Sequence, residues 1–337
     1  MDAIRAFTIS DEGYFLGTVG LLNSLRRTGH DLPLTVLDRG LAPWQVDLLE
    51  PHCEVRRRAS DRSPMLRKLD APLATDTDTD RVVLMDSDII VAGSLAPLLE
   101  PMAQGRVVAC ADHAIDRWFP EWASLFALEA PLRHGAYLNS GAVAISRALR
   151  PGVLERWREL CDVVHVHKAD DVGPRPRTDP LWTSDQEAFN ALLLSEVPEE
   201  QVRRLTDTTM VLGDDLTRTR LEDPHTLRCT HEGQPVTLLH AIGRVKPWQA
   251  RARRELQATA YASCLREVLA RPGEGVHVPV ARVPPWLRLG PGGVVLTAAL
   301  HAYARAARAS RPLRRAVGLS PGKRQGDAPG LKPGVHR

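Results

Sequence analysis

A chain of 337 residues, 43% hydrophobic and 25% charged, has the make-up of a folded globular protein and lies outside the disordered class. Its net charge of +3 hides an asymmetry: residues 301–337 carry nine Lys or Arg against one acid, Asp327, which leaves residues 1–300 at −5. A mildly acidic body excludes general nucleic-acid binding, and only the basic tail offers contact to anionic lipid or polymer.

In chain order, the apolar run at residues 4–9 predicts a buried strand, and residues 14–27, with Leu16, Val19, Leu22 and Leu25 at helical spacing, predict a helix. A strand at 34–37, a helix at 43–49, a short strand at 53–55 and a strand at 82–85 continue the alternation. That order predicts an α/β fold with a Rossmann-like, mostly parallel sheet flanked by helices. Beyond Ser94 the reading gives strands at 107–111 and 142–145, helices at 153–164 and 186–194, and a mobile Pro/Arg/Asp-rich loop at 170–180. A last strand is expected at 236–239 and one last helix at 249–270, with Pro272 and Gly273 as its stop. Residues 1–270 are thus read as the catalytic-type domain, 271–309 as a connector and C-terminal helical segment, and 310–337 as a basic, disordered tail.

Five cysteines, Cys53, Cys110, Cys161, Cys229 and Cys264, with no Cys-x-x-Cys pair, fit reduced thiols in a cytoplasm. Residues 1–7 lack the features of a signal peptide, and no run reaches about 18 apolar residues. The expected location is cytoplasmic, with the basic tail available for peripheral contact with the inner membrane face.

The sharpest chemical signal is residues 81–91, RVVLMDSDIIV, an apolar strand that delivers Asp86 and Asp88 one residue apart. Alternation along an extended chain would put both carboxylates on one side. At the carboxyl end of a parallel strand such a pair suits a divalent cation held against a diphosphate, Mg²⁺ or Mn²⁺. By itself an Asp-x-Asp is as often a cap beside a solvated acid. Residues 238–248, LLHAIGRVKPW, add an imidazole at a strand end (His240), a glycine that lets backbone approach an anion (Gly243) and a cation for phosphate (Lys246). Asn139-Ser140-Gly141 can be read as a tight turn and Asp185 as a helix cap.

In the order 6–14, Lys68-Leu69, Asp86-Ser87-Asp88, Asn139-Ser140-Gly141, Asp185-Gln186 and 240–248, these motifs resemble glycosyltransferase family 8, over nearly three quarters of the chain. The resemblance implies a GT-A fold, a UDP-sugar donor, Mn²⁺ and transfer of a hexose-type sugar with retention of anomeric configuration. It also assigns roles. Asp86, Asp88 and His240 match the metal ligands; Thr8, Ser10, Asp11 and Tyr14, with Ser87, match the nucleotide-binding segments, Tyr14 stacking on the base. Lys68 matches a basic residue near the donor diphosphate, and Gly243 and Lys246 the phosphate-binding turn. Asn139, Ser140 and Asp185 match groups bonded to the transferred sugar, and Gln186 the side chain beneath the anomeric carbon. Ser87 stands where the family often has Ala.

A carboxamide such as Gln186 is a poor nucleophile, which favours front-face attack by the acceptor hydroxyl over a covalent intermediate. The acceptor, whether a saccharide, a lipid-linked sugar or a small molecule, and the number of subunits are not written in the sequence. Two other readings compete: a haloacid dehalogenase-like phosphohydrolase, with Gly213-Asp214-Asp215 as its later acidic motif, and a catalytically silent nucleotide-sugar binder. Asp76, Asp78 and Asp80 resemble a calcium loop but lack its glycine and terminal glutamate, and His165 and His167 have no ligand partner in view.

Overall fold

The structure, a computed structural model, describes residues 4–57, 67–73, 81–113, 116–169, 176–206 and 208–289, together with 299, 302, 303 and 306. The expected tail at 310–337, the acidic segment 76–80 and most of the helix expected at 294–309 lie outside the described residues.

The elements run β1 (Ile4–Ser10), α1 (Phe15–Arg27), β2 (Leu34–Asp38), α2 (Pro43–Leu49), β3 (Glu54–Arg57), α3 (Asp70–Leu73), β4 (Arg81–Met85), β5 (Ile89–Val91), α4 (Ala96–Ala103) and β6 (Val107–Ala111). There follow α5 (Trp122–Leu125), β7 (Leu138–Ile145), α6 (Arg150–Ala169), α7 (Asp185–Ser195), β8 (Val202–Leu205), β9 (Met210–Leu212), β10 (Arg220–Asp223), β11 (Arg228–His231), β12 (Gln234–Val236), β13 (Leu238–His240), α8 (Arg254–Gln257) and α9 (Ala260–Ala270).

Seven strands form the central sheet in the order β3-β2-β1-β4-β7-β6-β8. Only β7 runs against the rest, antiparallel to both β4 and β6, so the expectation of a mostly parallel sheet holds. The sheet is buried on both sides because its side chains alternate between two cores. Ala6, Val83, Met85, Val108, Cys110, Ala142 and Ala144 face the core that includes α1 and α9. Phe7, Val82, Leu84, Val107, Ala109, Val143 and Ile145 face the one that includes α6 and α7.

Two small sheets complete the fold, β10-β11-β12 and β5-β13-β9. The second positions the site. β5 pairs antiparallel with β13 in the register His240↔Ile89, and the Ala241 amide donates to the Asp88 carbonyl at 3.0 Å. A strand far along the sequence is thereby laid against the segment that follows β4.

Three expectations need correction. Residues 249–270 are not one helix: the chain turns after Trp248, forms the single-turn α8, and restarts at Thr259, whose side chain caps α9 by accepting the Ala262 amide. The strand expected at 236–239 is two, β12 and β13, belonging to different sheets. Asn139-Ser140-Gly141 lies inside β7, not in a tight turn. Of the loop expected at 170–180, residues 176–180 are described, and Arg117 donates to the carbonyls of Arg177 and Asp179 there. Among the described residues no helix is long and apolar enough to cross a membrane.

Candidate active site

The site forms at the carboxyl end of β4. Asp86, Ser87 and Asp88 are not a continuation of the strand: Ile89 donates its amide back to the Asp86 carbonyl at 3.1 Å, closing a turn between β4 and β5. The two carboxylates therefore converge through that turn, not through strand alternation. Reversal of β7 brings its first residues to the same rim, since Met85 pairs with Ala142 and the Asp86 amide donates to the Gly141 carbonyl at 2.7 Å.

His240, delivered by β13, points Nε2 at both acids, 3.2 Å from Asp88 Oδ1 and 3.7 Å from Asp86 Oδ2. Ligand atoms of the three residues lie within 4.8 Å of one another, and they are the one such metal-capable group among the described residues. Two carboxylates and an imidazole make a mixed oxygen and nitrogen donor set able to hold a divalent cation. The other ring nitrogen, Nδ1, is buried without a hydrogen-bond partner. Packing holds the ring instead: a Cβ on Gly141 would come within 2.3 Å of His240 Cε1 and 2.8 Å of Nδ1.

Two buried lysines balance the acids. Lys246 reaches Asp88 Oδ2 and donates to the Ala241 carbonyl at 2.9 Å. Lys68 sits 2.6 Å from Asp185 Oδ2 and 3.6 Å from Asp86 Oδ1, and donates to the Ser140 carbonyl at 2.8 Å. Burial opposes the charge of each lysine, but Asp185 and Asp86 hold Lys68 above the ordinary lysine value, and Asp88 does the same for Lys246. Burial likewise opposes ionisation of the acids. At Asp88 it is overcome by His240 and Lys246, which hold the carboxyl well below the usual range, whereas at Asp86 it prevails over Lys68 and His240 and the carboxyl is raised.

A hydrogen-bonded shelf lies beside these charges. Ser140 donates its amide to Gln186 Oε1 at 3.0 Å and its hydroxyl to Asp185 Oδ2 at 3.0 Å. Asn139 and Gln186 both donate their amide nitrogens to Asp112 Oδ2, at 2.8 and 3.1 Å. Trp157 donates to the Asp185 carbonyl at 3.0 Å and presents its ring beneath Lys68. Ser184, just before Asp185, has φ of 60° and ψ of −105°, a left-handed backbone that a serine adopts only under constraint. Asp185 opens α7 as its first residue, and its carboxylate is spent on Lys68 and Ser140.

The N-terminal motif closes the opposite wall. Asp11 Oδ1 accepts the Gly13 and Tyr14 amides at 2.8 and 3.1 Å, so this carboxylate shapes the loop into α1. Ser10 Oγ accepts from Thr18, and Thr8 Oγ1 is buried without a partner. Trp248 donates to the Gly13 carbonyl at 2.8 Å and meets Tyr14 edge-on, while Lys246 lies over the Tyr14 ring. A Cβ on Gly17 would lie 2.5 Å from the Ser87 carbonyl and 2.6 Å from the Trp248 ring, so three motifs interlock at that glycine. Gly243, at φ of 101°, turns the chain between His240 and Lys246.

Asp86, Asp88, His240, Lys246, Lys68, Ser140, Asp185 and Gln186 are thus linked by contacts around one centre, and Tyr14 adjoins it through Lys246. Asp112, Trp157, Arg117 and Glu187 were not singled out. Asp112 had a signal: it ends the apolar run of β6 as Asp86 ends that of β4. Asp214 and Asp215 are elsewhere, in a 3₁₀ turn where Asp215 pairs with Arg218, and do not join the Asp86–Asp88 pair. Cys229 and Cys264, remote in sequence, are buried free thiols hydrogen-bonded to each other at 3.6 Å.

A scan against protein-family models finds no match, and a search of curated proteins finds none either. Solved structures do match. The apo structure of WbbM, a bifunctional glycosyltransferase, aligns with a TM-score of 0.52 at 15% identity, over 81% of this chain and 50% of its own. The galactosyltransferase LgtC, solved with donor and acceptor sugar analogues, aligns with a TM-score of 0.51 at 17% identity, over 82% of this chain and 98% of its own. An active-site mutant of LgtC, glutamine to glutamate, aligns equally well. The chain spans half of WbbM and nearly all of LgtC, and it has the GT-A-type α/β fold of these glycosyltransferases.

Proposed function

We propose that this protein is a metal-dependent, retaining glycosyltransferase that moves a hexose-type sugar from a UDP-sugar to an acceptor hydroxyl. The observation that carries the reading is the convergence of Asp86, Asp88 and His240 within 4.8 Å, flanked by Lys68 and Lys246 and adjoining the Ser140–Asp185–Gln186 shelf. That LgtC was solved with donor and acceptor sugar analogues, and that its active-site mutant exchanges a glutamine, fits the same reading.

Asp86, Asp88 and His240 would hold the ion, which when bound supplies Lewis-acid neutralisation of the donor diphosphate. The chain's own groups do the rest. Thr8, Ser10, Asp11, Tyr14 and Ser87 line the nucleotide side, and Lys68, Lys246 and the Gly243 turn supply positive charge and backbone room for the departing diphosphate.

Asn139, Ser140 and Asp185 form the sugar side. Both ends of the Gln186 carboxamide are fixed, by the Ser140 amide and by Asp112, so it offers a rigid polar face without a free nucleophile. Asp185 is paired with Lys68 and accepts the Ser140 hydroxyl. With neither side chain free to attack, the acceptor hydroxyl adds on the face the diphosphate leaves, giving its proton to that phosphate.

The reading is tested by screening UDP-sugars for thermal stabilisation with and without Mn²⁺, and for release of UDP. One donor should raise the melting temperature only with the metal, a ligand at 100 times its Kd contributing about 2.7 kcal/mol, and should release UDP slowly even without acceptor. Absence of metal-dependent binding with every donor sinks the proposal, and binding without release leaves only a nucleotide-sugar binder.

Lys246 gives a second test. Its ammonium is held by Asp88 and stands to be exchanged for the donor phosphate. Lys246→Met should weaken UDP binding in the presence of Mn²⁺ by roughly 10- to 100-fold, the worth of one charge-assisted hydrogen bond. Mn²⁺ binding without nucleotide should hold or tighten, because the competing cation is gone. Isothermal titration reads both, and unaltered UDP affinity would exclude this lysine as a phosphate ligand.

A further inference from the structure

We infer that Arg117 and Glu187 are positioning residues for the sugar shelf, holding the Thr183–Ser184 backbone in its strained turn so that Asp185 and Gln186 present correctly. The inference rests on the function proposed above. Neither residue belongs to a motif, and they stand 70 positions apart. Both are buried: Glu187 has no exposed surface and Arg117 is 8% exposed.

The geometry is that of a clamp. Glu187 Oε1 accepts three hydrogen bonds, from Arg117 Nε at 2.7 Å, the Thr183 amide at 3.1 Å and the Thr183 hydroxyl at 2.7 Å, and lies 2.6 Å from Arg117 Nη2 in the ion pair. Tyr137, which leads into β7, closes the circuit through a 2.6 Å hydrogen bond to the same hydroxyl. The rest of the guanidinium grips the incoming segment, donating to the Arg177 carbonyl and, at 2.6 Å, to the Asp179 carbonyl. Its planar group also lies over the rings of Phe119 and Trp182.

Why the shelf needs a clamp follows from Ser184. A serine at φ of 60° costs about 1–3 kcal/mol and persists only where its surroundings enforce it. Thr183 is the residue before it and Glu187 lies on the first turn of α7 after it, so the bonds from Thr183 to Glu187 span the strained residue. Relaxation there would rotate the start of α7 and move Gln186 away from Ser140 and Asp112. The nucleotide wall, built on β1, α1 and the His240 turn, shares no hydrogen bond with this clamp among the described residues.

The test compares two double variants that both remove the buried cation. Arg117→Met with Glu187→Leu replaces the ion pair by apolar groups of similar size and takes away the acceptor for Thr183. Arg117→Met with Glu187→Gln keeps an acceptor for Thr183.

For the Leu variant we expect kcat for UDP release to fall by about 30-fold with UDP affinity near that of the parent protein and a melting temperature below that of the Gln variant, because Thr183 has lost its acceptor. For the Gln variant we expect kcat within about fivefold of the parent. Equal kcat in the two variants, or kcat and UDP affinity falling together, overturns the inference. Amide hydrogen exchange at Thr183 provides a readout independent of turnover, expected to quicken in the Leu variant only. If the parent protein releases no UDP at all, the functional reading fails, and unchanged exchange at Thr183 would then sink the clamp separately.

Discussion

Asp88→Asn is expected to abolish metal-dependent UDP release, with a loss of roughly 10³-fold, the scale of the several kcal/mol a bound cation contributes to a developing diphosphate charge. Asparagine keeps the shape and removes the charge. Asp88 is the acid best placed to hold an ion, because His240 and Lys246 keep it ionised well below the usual carboxylate range. The same contacts set the cost to the fold. Asparagine leaves Lys246 buried without its counter-charge, a class of change that destabilises by roughly 3–5 kcal/mol, so assays belong well below the melting transition. The Mn²⁺-dependent thermal shift with UDP should vanish, while any metal-independent binding persists. Release within tenfold of the parent rate would show that this pair does not carry the ion.

The residues of that centre were legible in the sequence, but the reason they meet was not. Long elements announced themselves: α1 by its 3.6-residue stripe, β4 by four apolar residues ending in an acid, and α2 by its proline start. The β5-β13-β9 sheet that carries His240 to Asp88 consists of three-residue strands, too short for any period to show. Alternation was therefore invoked for Asp86 and Asp88, where a turn is what brings them together. The helix expected at 249–270 broke because its apolar content ran on while Thr259, a capping residue, reset the backbone.

Other omissions share one cause. Arg117 and Glu187 have no local pattern linking them, and burial of an ion pair is a tertiary fact. Asp112 was one residue past a recognised strand, and its value became visible only when β7 and α7 placed two carboxamides on one of its oxygens. Glycines hide more deeply still. Gly17 sits within a helix, where neither turn chemistry nor positive φ marks it, and Gly141, read in the sequence as part of a tight turn, sits within a strand; each is required by a neighbour from a remote segment.

Gly141 therefore supplies the sharpest test of the packing argument. In Gly141→Ala the new Cβ would lie 2.3 Å from His240 Cε1 and 2.8 Å from Asn139 Oδ1, distances at which something must shift. Backbone movement is resisted on both sides, because the Gly141 carbonyl accepts the Asp86 amide and its own amide donates to Asn139. The imidazole is the softer partner, since its Nδ1 has no hydrogen bond to hold it. We expect the ring to be pushed off the Asp86–Asp88 axis, at an overpacking cost of about 1–3 kcal/mol and a drop in Mn²⁺ affinity of roughly 10- to 100-fold, the range seen when a ligand's supporting contacts are removed. UDP release should fall in step with metal occupancy and recover partly at high Mn²⁺, which a simple folding defect would not do. Unchanged Mn²⁺ affinity in a folded Gly141→Ala protein would mean that His240 is not a ligand held in place by packing.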